Sequence, residues 1–204
     1  MNTQTGCDAS SACTESTITC LQENGLTFIG RYYSQTTHIE GKKLTAGEAQ
    51  LLSEGGIDIV AVYEDGPTSY SYFGASRGTS DANGALAQAL SVGQPSGSAI
   101  YFTVDYDATE SDIAGNITAY FAAVAATIGM QYAVGVYGSG DVCTAILDSG
   151  YATLAWLAQS TGWGGYPDFT DWAIKQGNEG SICGLDSDSD VAQGDFGAFQ
   201  VSVT

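Results

Sequence analysis

The sequence predicts one α/β domain, a (β/α) barrel of the TIM type near the minimum size for that fold. Short β-branched or aromatic runs alternate with longer amphipathic runs along a chain of 204 residues. Several of the short runs are apolar on both faces, as in parallel strands that are covered by helices. Because about 200 residues is the lower limit for eight strand-helix units, we expect a single domain over residues 1–204.

Eight runs have the composition of strands. The clearest is 57–63, IDIVAVY, which is rich in β-branched residues and apolar on both faces. In chain order the predicted strands are 5–9, 27–33, 57–63, 98–104, 132–137, 152–157, 171–175 and 182–188. The last three are too closely spaced for full helices between them, so we expect reduced helices there. A doubly wound open sheet is the alternative, but no glycine-rich phosphate turn follows the first strand.

Helical periodicity separates most of these strands. The predicted helices are 16–23, 45–54, 81–91, 110–128 and 141–147. In the fourth, Ile113, Ile117, Phe121 and Val124 fall on one face, which predicts an amphipathic helix. The second predicted helix, 45–54, begins with a capping box formed by Thr45 and Glu48.

The charge of the chain limits its partners. There are 23 acidic residues against five Lys and Arg, with a formal net charge of −18. So few cations cannot neutralise a phosphate backbone, which argues against nucleic acid. No apolar run reaches the roughly 20 residues of a membrane span. Acidic composition with few lysines is typical of extracellular or salt-tolerant proteins, and the alternative is that it serves solubility alone. Since residues 1–5 lack a signal-peptide pattern, we expect a mature exported chain or one that is never exported.

The five cysteines show no CxxC spacing and no neighbouring histidine, so we expect no zinc site, and no other metal or cofactor. An odd number leaves at least one thiol free or paired between chains, and Cys7 in the first strand is the candidate. Cys13 and Cys20 lie about 10 Å apart on a continuous helix, too far to bridge. The disulfide pairing stays open.

Acidic and aromatic side chains gather at the carboxyl ends of the predicted strands, where barrel enzymes carry their functional groups. The acids are Asp8, Glu64, Asp65, Asp105, Asp107, Asp186, Asp188 and Asp190. The aromatic residues are Tyr32, Tyr33, Tyr63, Tyr101, Tyr106, Tyr137, Trp156 and Trp172. Aromatic rings stack on sugar faces and carboxyl groups transfer protons, so this combination indicates a carbohydrate site.

The sharpest local motif is Asp105-Tyr106-Asp107, which follows a buried strand. In an extended strand the two carboxylates point the same way, with Cα atoms roughly 6.5 Å apart. In one pocket each would raise the proton affinity of the other, so that one could act as a general acid. Glycosidases need such a pair. The alternative is that both acids cap the following helix.

Four segments in order resemble a known family. They are 6–10 (GCDAS), 28–33 (FIGRYY), 100–107 (IYFTVDYD) and 134–139 (VGVYGS). They are similar to the glycoside-hydrolase-like barrel family of the domain-of-unknown-function type, which is related to the family 25 muramidases. The resemblance runs from Gly6 to about Ala192. It implies a TIM barrel that acts on peptidoglycan or a related polysaccharide.

The resemblance also implies roles for individual acids. Asp8 matches the first-strand aspartate of the muramidase pocket, and Asp188 the last-strand aspartate. Asp105 matches the first acid of the muramidase D-x-E motif, and Asp107 stands where the catalytic glutamate would be. Asp107 is one methylene shorter, which withdraws the acid by roughly 1.5 Å, and a displacement of that size can cost about 100-fold in rate.

The remaining site candidates follow from position. Glu64 is a reserve general acid. Arg31 is expected to pair with Asp8 or Glu64, or to contact substrate, and substrate-binding roles are also assigned to Tyr33, Tyr63, Tyr137, Trp172 and Asp188. Two functions are open: a secreted glycan hydrolase, and a non-catalytic barrel that binds glycan or self-assembles at the cell surface.

Overall fold

Eight strands close into a barrel in the order of the chain in the computed structural model, which describes residues 3–166 and 168–202. The strands are β1 (Thr3–Ala9), β2 (Phe28–Tyr33), β3 (Asp58–Tyr63), β4 (Ala99–Thr103), β5 (Ala133–Gly138), β6 (Leu154–Leu157), β7 (Ile174–Ile182) and β8 (Leu185–Gln193). The prediction of a closed TIM-type barrel is confirmed.

The last strand runs against its neighbours. From β1 to β7, each strand is parallel to the next one in the barrel, whereas β8 is antiparallel to both of its neighbours, β7 and β1. The predicted strand 182–188 therefore spans two elements, because the hairpin turn falls at Cys183 and Gly184, which both have positive φ. Two residues in this conformation reverse the chain where an uninterrupted strand was expected.

Helices cover the outside of the barrel. They are α1 (Glu15–Glu23), α2 (Ala46–Glu54), α3 (Ala75–Val92), α4 (Glu110–Asp112), α5 (Thr118–Ile128) and α6 (Gly140–Asp148). The predicted helix 110–128 is interrupted by a π-helical turn over Ile113–Ile117, where Gly115 leaves helical geometry with φ −93° and ψ −109°. The described residues between β6 and β7 form no α-helix, as the short spacing predicted.

Strand alternation divides the apolar side chains into two cores. One fills the barrel and includes Phe28, Val60, Tyr101 and Trp156. The other lies between the strands and the helices and includes Ile29, Ile59, Phe102 and Phe121. Side chains one residue apart on a strand therefore belong to different environments, and only the inward set can reach a site at the mouth of the barrel.

A disulfide joins Cys20 on α1 to Cys183 at the tip of the β7–β8 hairpin, 163 residues apart. Cys7, Cys13 and Cys143 are free and buried, so the expectation that Cys7 is a free thiol is confirmed. Within the described ranges, no helix is both long and apolar enough to span a membrane.

Candidate functional site

A cavity of about 160 Å³ opens at the carboxyl ends of the parallel strands. It is lined by Asp8, Tyr32, Val62, Glu64, Thr103, Asp105, Tyr137, Trp156, Gln176 and Asp188. Five of the predicted site residues, Asp8, Glu64, Asp105, Tyr137 and Asp188, therefore lie together. They come from different strands, and the closed barrel brings them to one place.

One side of the cavity is a hydrogen-bonded carboxylate cluster around Asp8. The Tyr32 hydroxyl donates to Asp8 Oδ1 at 2.8 Å, and Gln176 Nε2 donates to Asp8 Oδ2 at 2.9 Å. The same Gln176 nitrogen lies 3.1 Å from Asp188 Oδ2, and the Tyr137 hydroxyl donates to Gln176 Oε1 at 2.9 Å. Gln176 thus holds both carboxyl groups at the cavity wall.

Burial dominates the electrostatics of this cluster. It raises the pKa of Asp8 to about 6, against the opposing effect of the hydrogen bonds from Gln176 and Tyr32. Burial also raises the pKa of Asp188, with further contributions from the charges of Glu179 and Asp186. Both groups can therefore exchange protons at higher pH than an ordinary aspartate.

The other side of the cavity carries Glu64 and Asp105, and Lys42 forms an ion pair with Glu64. Lys42 Nζ lies 2.6 Å from Glu64 Oε1 and 4.4 Å above the ring of Tyr32. None of the hydrogen bonds among the described residues involves the Asp105 carboxyl group, which is half-buried and lines the cavity. Burial raises the pKa of Asp105, the charge of Glu64 raises it further, and Lys42 opposes both.

Asp107 lies outside this cavity, so the prediction that it shares a pocket with Asp105 is wrong. Its side chain is exposed, and its Oδ1 accepts a hydrogen bond of 2.9 Å from the backbone N–H of Gly164. β4 ends at Thr103, so the extended geometry that would keep the two carboxylates on one face does not continue to Asp107. The acid here binds the β6–β7 loop instead.

Arg31 is fully buried on the outer face of β2, so its predicted pairing with Asp8 or Glu64 is wrong. Its Nε lies 2.8 Å from Glu48 Oε1, and its guanidinium also donates to the carbonyls of Ala9 and Gly41. Thr45 caps α2 as predicted, but the Glu48 carboxylate bonds to Arg31 and not back to the cap. Arg31 is a structural residue that does not line the cavity.

Tyr33 and Tyr63 also face outward and do not line the cavity, contrary to their predicted roles. The Tyr33 hydroxyl donates to Gln94 Oε1 at 2.8 Å, and the Tyr63 hydroxyl donates to Asp65 Oδ2 at 2.9 Å. Both residues differ by one position from an inward residue, Tyr32 and Val62 respectively. Because successive side chains of a strand point to opposite faces, Tyr33 and Tyr63 lie in the layer between the strands and the helices.

Trp172 lies at the opposite end of the barrel. It precedes β7 and lines a separate surface cavity together with Leu154, at the start of β6, and Gln193, at the end of the reversed β8. Its predicted contact with a substrate at the carboxyl-end cavity is therefore wrong. The predicted strand 171–175 begins three residues before β7, which placed Trp172 inside a strand.

Sequence reasoning did not assign Lys42 and Gln176 to the site, and it named Tyr32 and Trp156 only as strand-end aromatics. The register of the barrel selects Tyr32 over Tyr33, since Asp8 pairs with Gly30 and Tyr32 is the next inward residue of β2. No local pattern points to Lys42, which lies in a loop. The described residues contain no group of three His, Cys, Asp or Glu side chains that could hold a metal ion.

The comparison with known families settles the relationship of this chain. Residues 19–193 match the family described as Rv2525c-like, glycoside hydrolase-like domain. The chain belongs to this family. The uncharacterized protein YbfG of Bacillus subtilis is 32% identical to this Rv2525c-like domain in an alignment of 196 residues that covers 88% of this chain. The chain spans only 27% of the length of YbfG.

Solved structures share the fold of this Rv2525c-like domain. The Tat-secreted protein Rv2525c of Mycobacterium tuberculosis, in complex with HEPES, superposes with a TM-score of 0.84 at 22% identity, covering 96% of this chain and 98% of that one. The modular autolysin LytC of Streptococcus pneumoniae, in complex with a synthetic peptidoglycan ligand, superposes with a TM-score of 0.63 at 11% identity. The match covers 94% of this chain and 47% of the LytC chain. A family 25 glycosyl hydrolase from Bacillus anthracis superposes with a TM-score of 0.52 at 11% identity, covering 94% of this chain and 89% of that one.

Proposed function

We propose that this glycoside hydrolase-like domain cleaves glycosidic bonds of peptidoglycan or a related polysaccharide at the carboxyl-end cavity. The observation that carries the proposal is the contrast between two carboxyl groups that line it. The carboxyl group of Asp105 has a raised pKa and makes none of the hydrogen bonds found among the described residues, whereas Glu64 is ion-paired with Lys42. Glycosidases use two carboxyl groups whose environments separate their protonation states.

Each group then has a role in the reaction. Asp105, protonated, donates its proton to the glycosidic oxygen as the bond to the anomeric carbon breaks. Glu64, ionised, stabilises the positive charge that develops on the sugar ring and directs a water molecule to the anomeric carbon. The proton released from that water returns to a carboxylate of the cavity, so the reaction consumes one water for each bond broken.

The Asp8 cluster is proposed to hold the sugar. Asp8 and Asp188 accept hydrogen bonds, and both are fixed by Gln176. A cavity of about 160 Å³ accommodates a single sugar ring and no longer oligomer, so the rest of the polymer would cross the rim of the barrel. The hydroxyl and amide groups of a bound sugar match this set of acceptors.

The relatives support the substrate class and the location. LytC is an autolysin crystallised with a peptidoglycan ligand, and it shares the barrel. Rv2525c is Tat-secreted, and the Cys20–Cys183 disulfide of this chain suits an oxidising compartment. We therefore propose an extracellular protein that acts on the cell wall.

The direct test is release of reducing ends from purified peptidoglycan by the unmodified protein and by Asp105→Asn. The amide keeps the size of the side chain but supplies no acidic proton. We expect release by the unmodified protein and a loss of about 1,000-fold in the variant, within the range for removal of a general acid. Full activity in Asp105→Asn would overturn the assignment.

A second candidate function is favoured by the position of Asp107. Its carboxylate stands where the muramidase resemblance implies the catalytic acid, yet it is bound to Gly164 and exposed. A barrel that binds glycan without cleaving it would retain the cavity and lose that acid. Co-sedimentation with peptidoglycan without release of reducing ends would support this candidate. Self-assembly at the cell surface stays a prediction.

A further inference from the structure

A further carboxyl group, that of Asp190, lies below the cavity inside the barrel. Asp190 is only 1% exposed, and its Cα pairs with Gly6 of β1 and with Gln176 of β7. Being two residues from Asp188 on β8, it points to the same inward face, one step deeper. The reaction proposed above makes no use of this group.

The two oxygens of Asp190 have different surroundings. Oδ1 accepts a hydrogen bond of 3.0 Å from Trp156 Nε1. Oδ2 is buried, and among the described residues no donor reaches it. An ionised carboxylate with one oxygen that accepts no hydrogen bond is strongly unfavourable in an apolar core, so buried groups are rarely left in that state. A proton on Oδ2 removes the charge and makes this oxygen a donor.

Asp8 is a diagonal neighbour of Asp190 on the inward face of the β1–β8 pair, because Asp8 pairs with Asp188 and Gly6 pairs with Asp190. A Cβ at Gly30 would lie 2.6 Å from the Trp156 ring and 2.7 Å from the Asp8 Cβ, so Trp156 and Asp8 meet over this glycine. Trp156 therefore donates a hydrogen bond to Asp190, while the tip of its ring and the Asp8 side chain both lie over Gly30. Each Asp8 oxygen already accepts one hydrogen bond, and a carboxylate has about four acceptor sites, so capacity remains for another.

We propose that Asp190 is a positioning residue that remains protonated in neutral solution and donates a hydrogen bond from Oδ2 to the Asp8 carboxylate. The pair then carries a single negative charge, and the charge resides on the acid that lines the cavity. Asp8 is held from below by Asp190 and from the sides by Tyr32 and Gln176. The value of this arrangement to sugar binding rests on the proposed function, whereas the proton position does not.

The electrostatic surroundings of the two acids agree with this geometry. Burial, and after it the charge of Asp8, raise the pKa of Asp190 well above its ordinary value. The hydrogen bond from Asp190 is among the effects that lower the pKa of Asp8 against burial. The other titratable groups that act on the pair or feel its charge are Asp188, Tyr32, Tyr137 and Cys7.

The test compares two substitutions at Asp190 by carboxyl carbon NMR across about pH 3 to 9, a range that spans ordinary and raised aspartate values. In Asp190→Asn, the amide oxygen can accept from Trp156 and the amide nitrogen can donate to Asp8, without titrating. We expect the titration midpoint of Asp8 to stay within about 0.3 pH units of the unmodified protein. In Asp190→Ala the donor is lost, and we expect the midpoint to rise by about one pH unit.

A fall of about one pH unit in Asp190→Asn would overturn the proposal, because it would show that a negative charge had been removed beside Asp8. An unchanged midpoint in Asp190→Ala would overturn it as well. Should the alanine variant not fold, the Asp190 signal of the unmodified protein decides, since it must remain that of a protonated acid at neutral pH. None of these readouts needs catalysis, so failure of the proposed function leaves them intact.

Discussion

The ammonium of Lys42 lies 2.6 Å from Glu64 Oε1, and Glu64 lines the same cavity as Asp105. Lys42 comes from the loop after β2 and rests on the ring of Tyr32 at 4.4 Å. Burial raises the pKa of Asp105, and the charge of the Glu64 carboxylate raises it further, although Lys42 opposes this effect. The two acids proposed for catalysis are therefore coupled through space.

Glu64→Gln tests this coupling. Removing the negative charge lowers the pKa of Asp105, so Asp105 loses its proton at lower pH and the basic limb of the activity profile moves toward acid. We also expect about a 100-fold loss in kcat/KM at the optimum, typical for an acid-base group. The pH dependence of kcat/KM measures both effects. A basic limb that stays in place would argue against Asp105 as the acid.

Asp8→Asn should make stability less dependent on pH. The pKa of Asp8 is raised from 3.8 to about 6 in the folded protein, so the folded state binds the proton more tightly. The stabilisation from this proton is complete below the ordinary value and is lost as pH rises through about 6, a difference of about 3 kcal/mol.

The asparagine variant does not titrate, so relative to the unmodified protein it should gain up to about 3 kcal/mol between about pH 4 and pH 7. One hydrogen bond from Tyr32 or Gln176 is lost, about 1 kcal/mol, but at both pH values, so it cancels in the difference. Urea unfolding at the two pH values measures the gain. An equal difference in stability at both would refute the raised pKa.

Glu48→Gln should strongly destabilise the fold without touching the cavity. It leaves the Arg31 guanidinium, which is 0% exposed, without its charged partner, and such a change costs about 3–5 kcal/mol. Glu54→Gln on the exposed face of the same helix is the matched control, expected within about 0.5 kcal/mol of the unmodified protein. Chemical unfolding gives the free energy of unfolding of both variants. Similar free energies for the two would contradict a buried ion pair.

Cys183→Ser should destabilise the chain by about 4–5 kcal/mol, because the Cys20–Cys183 bond closes a loop of 163 residues. The β7–β8 hairpin, whose second strand carries Asp188, would also lose its attachment to α1. Thermal unfolding with and without reductant measures the effect. Reductant should lower the Tm of the unmodified protein and of the matched control Cys143→Ser, a buried free thiol, but not that of Cys183→Ser. If reductant left the Tm of the unmodified protein unchanged, a stabilising Cys20–Cys183 disulfide would be excluded.

The barrel itself could be predicted because it depends on local patterns. The run 57–63 is apolar on both faces, and β3 occupies Asp58–Tyr63. The reversal of β8 could not be predicted in this way. Its polar sequence, LDSDSDVAQ, has no two-sided apolar run, and periodicity carries no information on strand direction. The positive φ of Cys183, which helps to make the turn, is unusual for a residue other than glycine.

The site was predicted where strand ends alone decide it, as for Asp8 and Asp105. Adjacent aromatics such as Tyr32 and Tyr33 cannot both point inward, and only the register of the closed barrel shows which one does. Partners distant in the chain, Arg31 with Glu48 and Cys20 with Cys183, leave no mark in local periodicity. Asp107 was misplaced because strand geometry was extended past the end of β4.

The two acids of the Asp105-Tyr106-Asp107 motif allow the most direct test of the central claim, that the cavity and not the exposed rim carries the catalytic acid. The measurement is kcat/KM for release of reducing ends from purified peptidoglycan by Asp105→Asn and by Asp107→Asn, two isosteric changes two residues apart. We expect a loss of about 1,000-fold for Asp105→Asn and of less than about threefold for Asp107→Asn. Full activity in Asp105→Asn together with a large loss in Asp107→Asn would contradict the account.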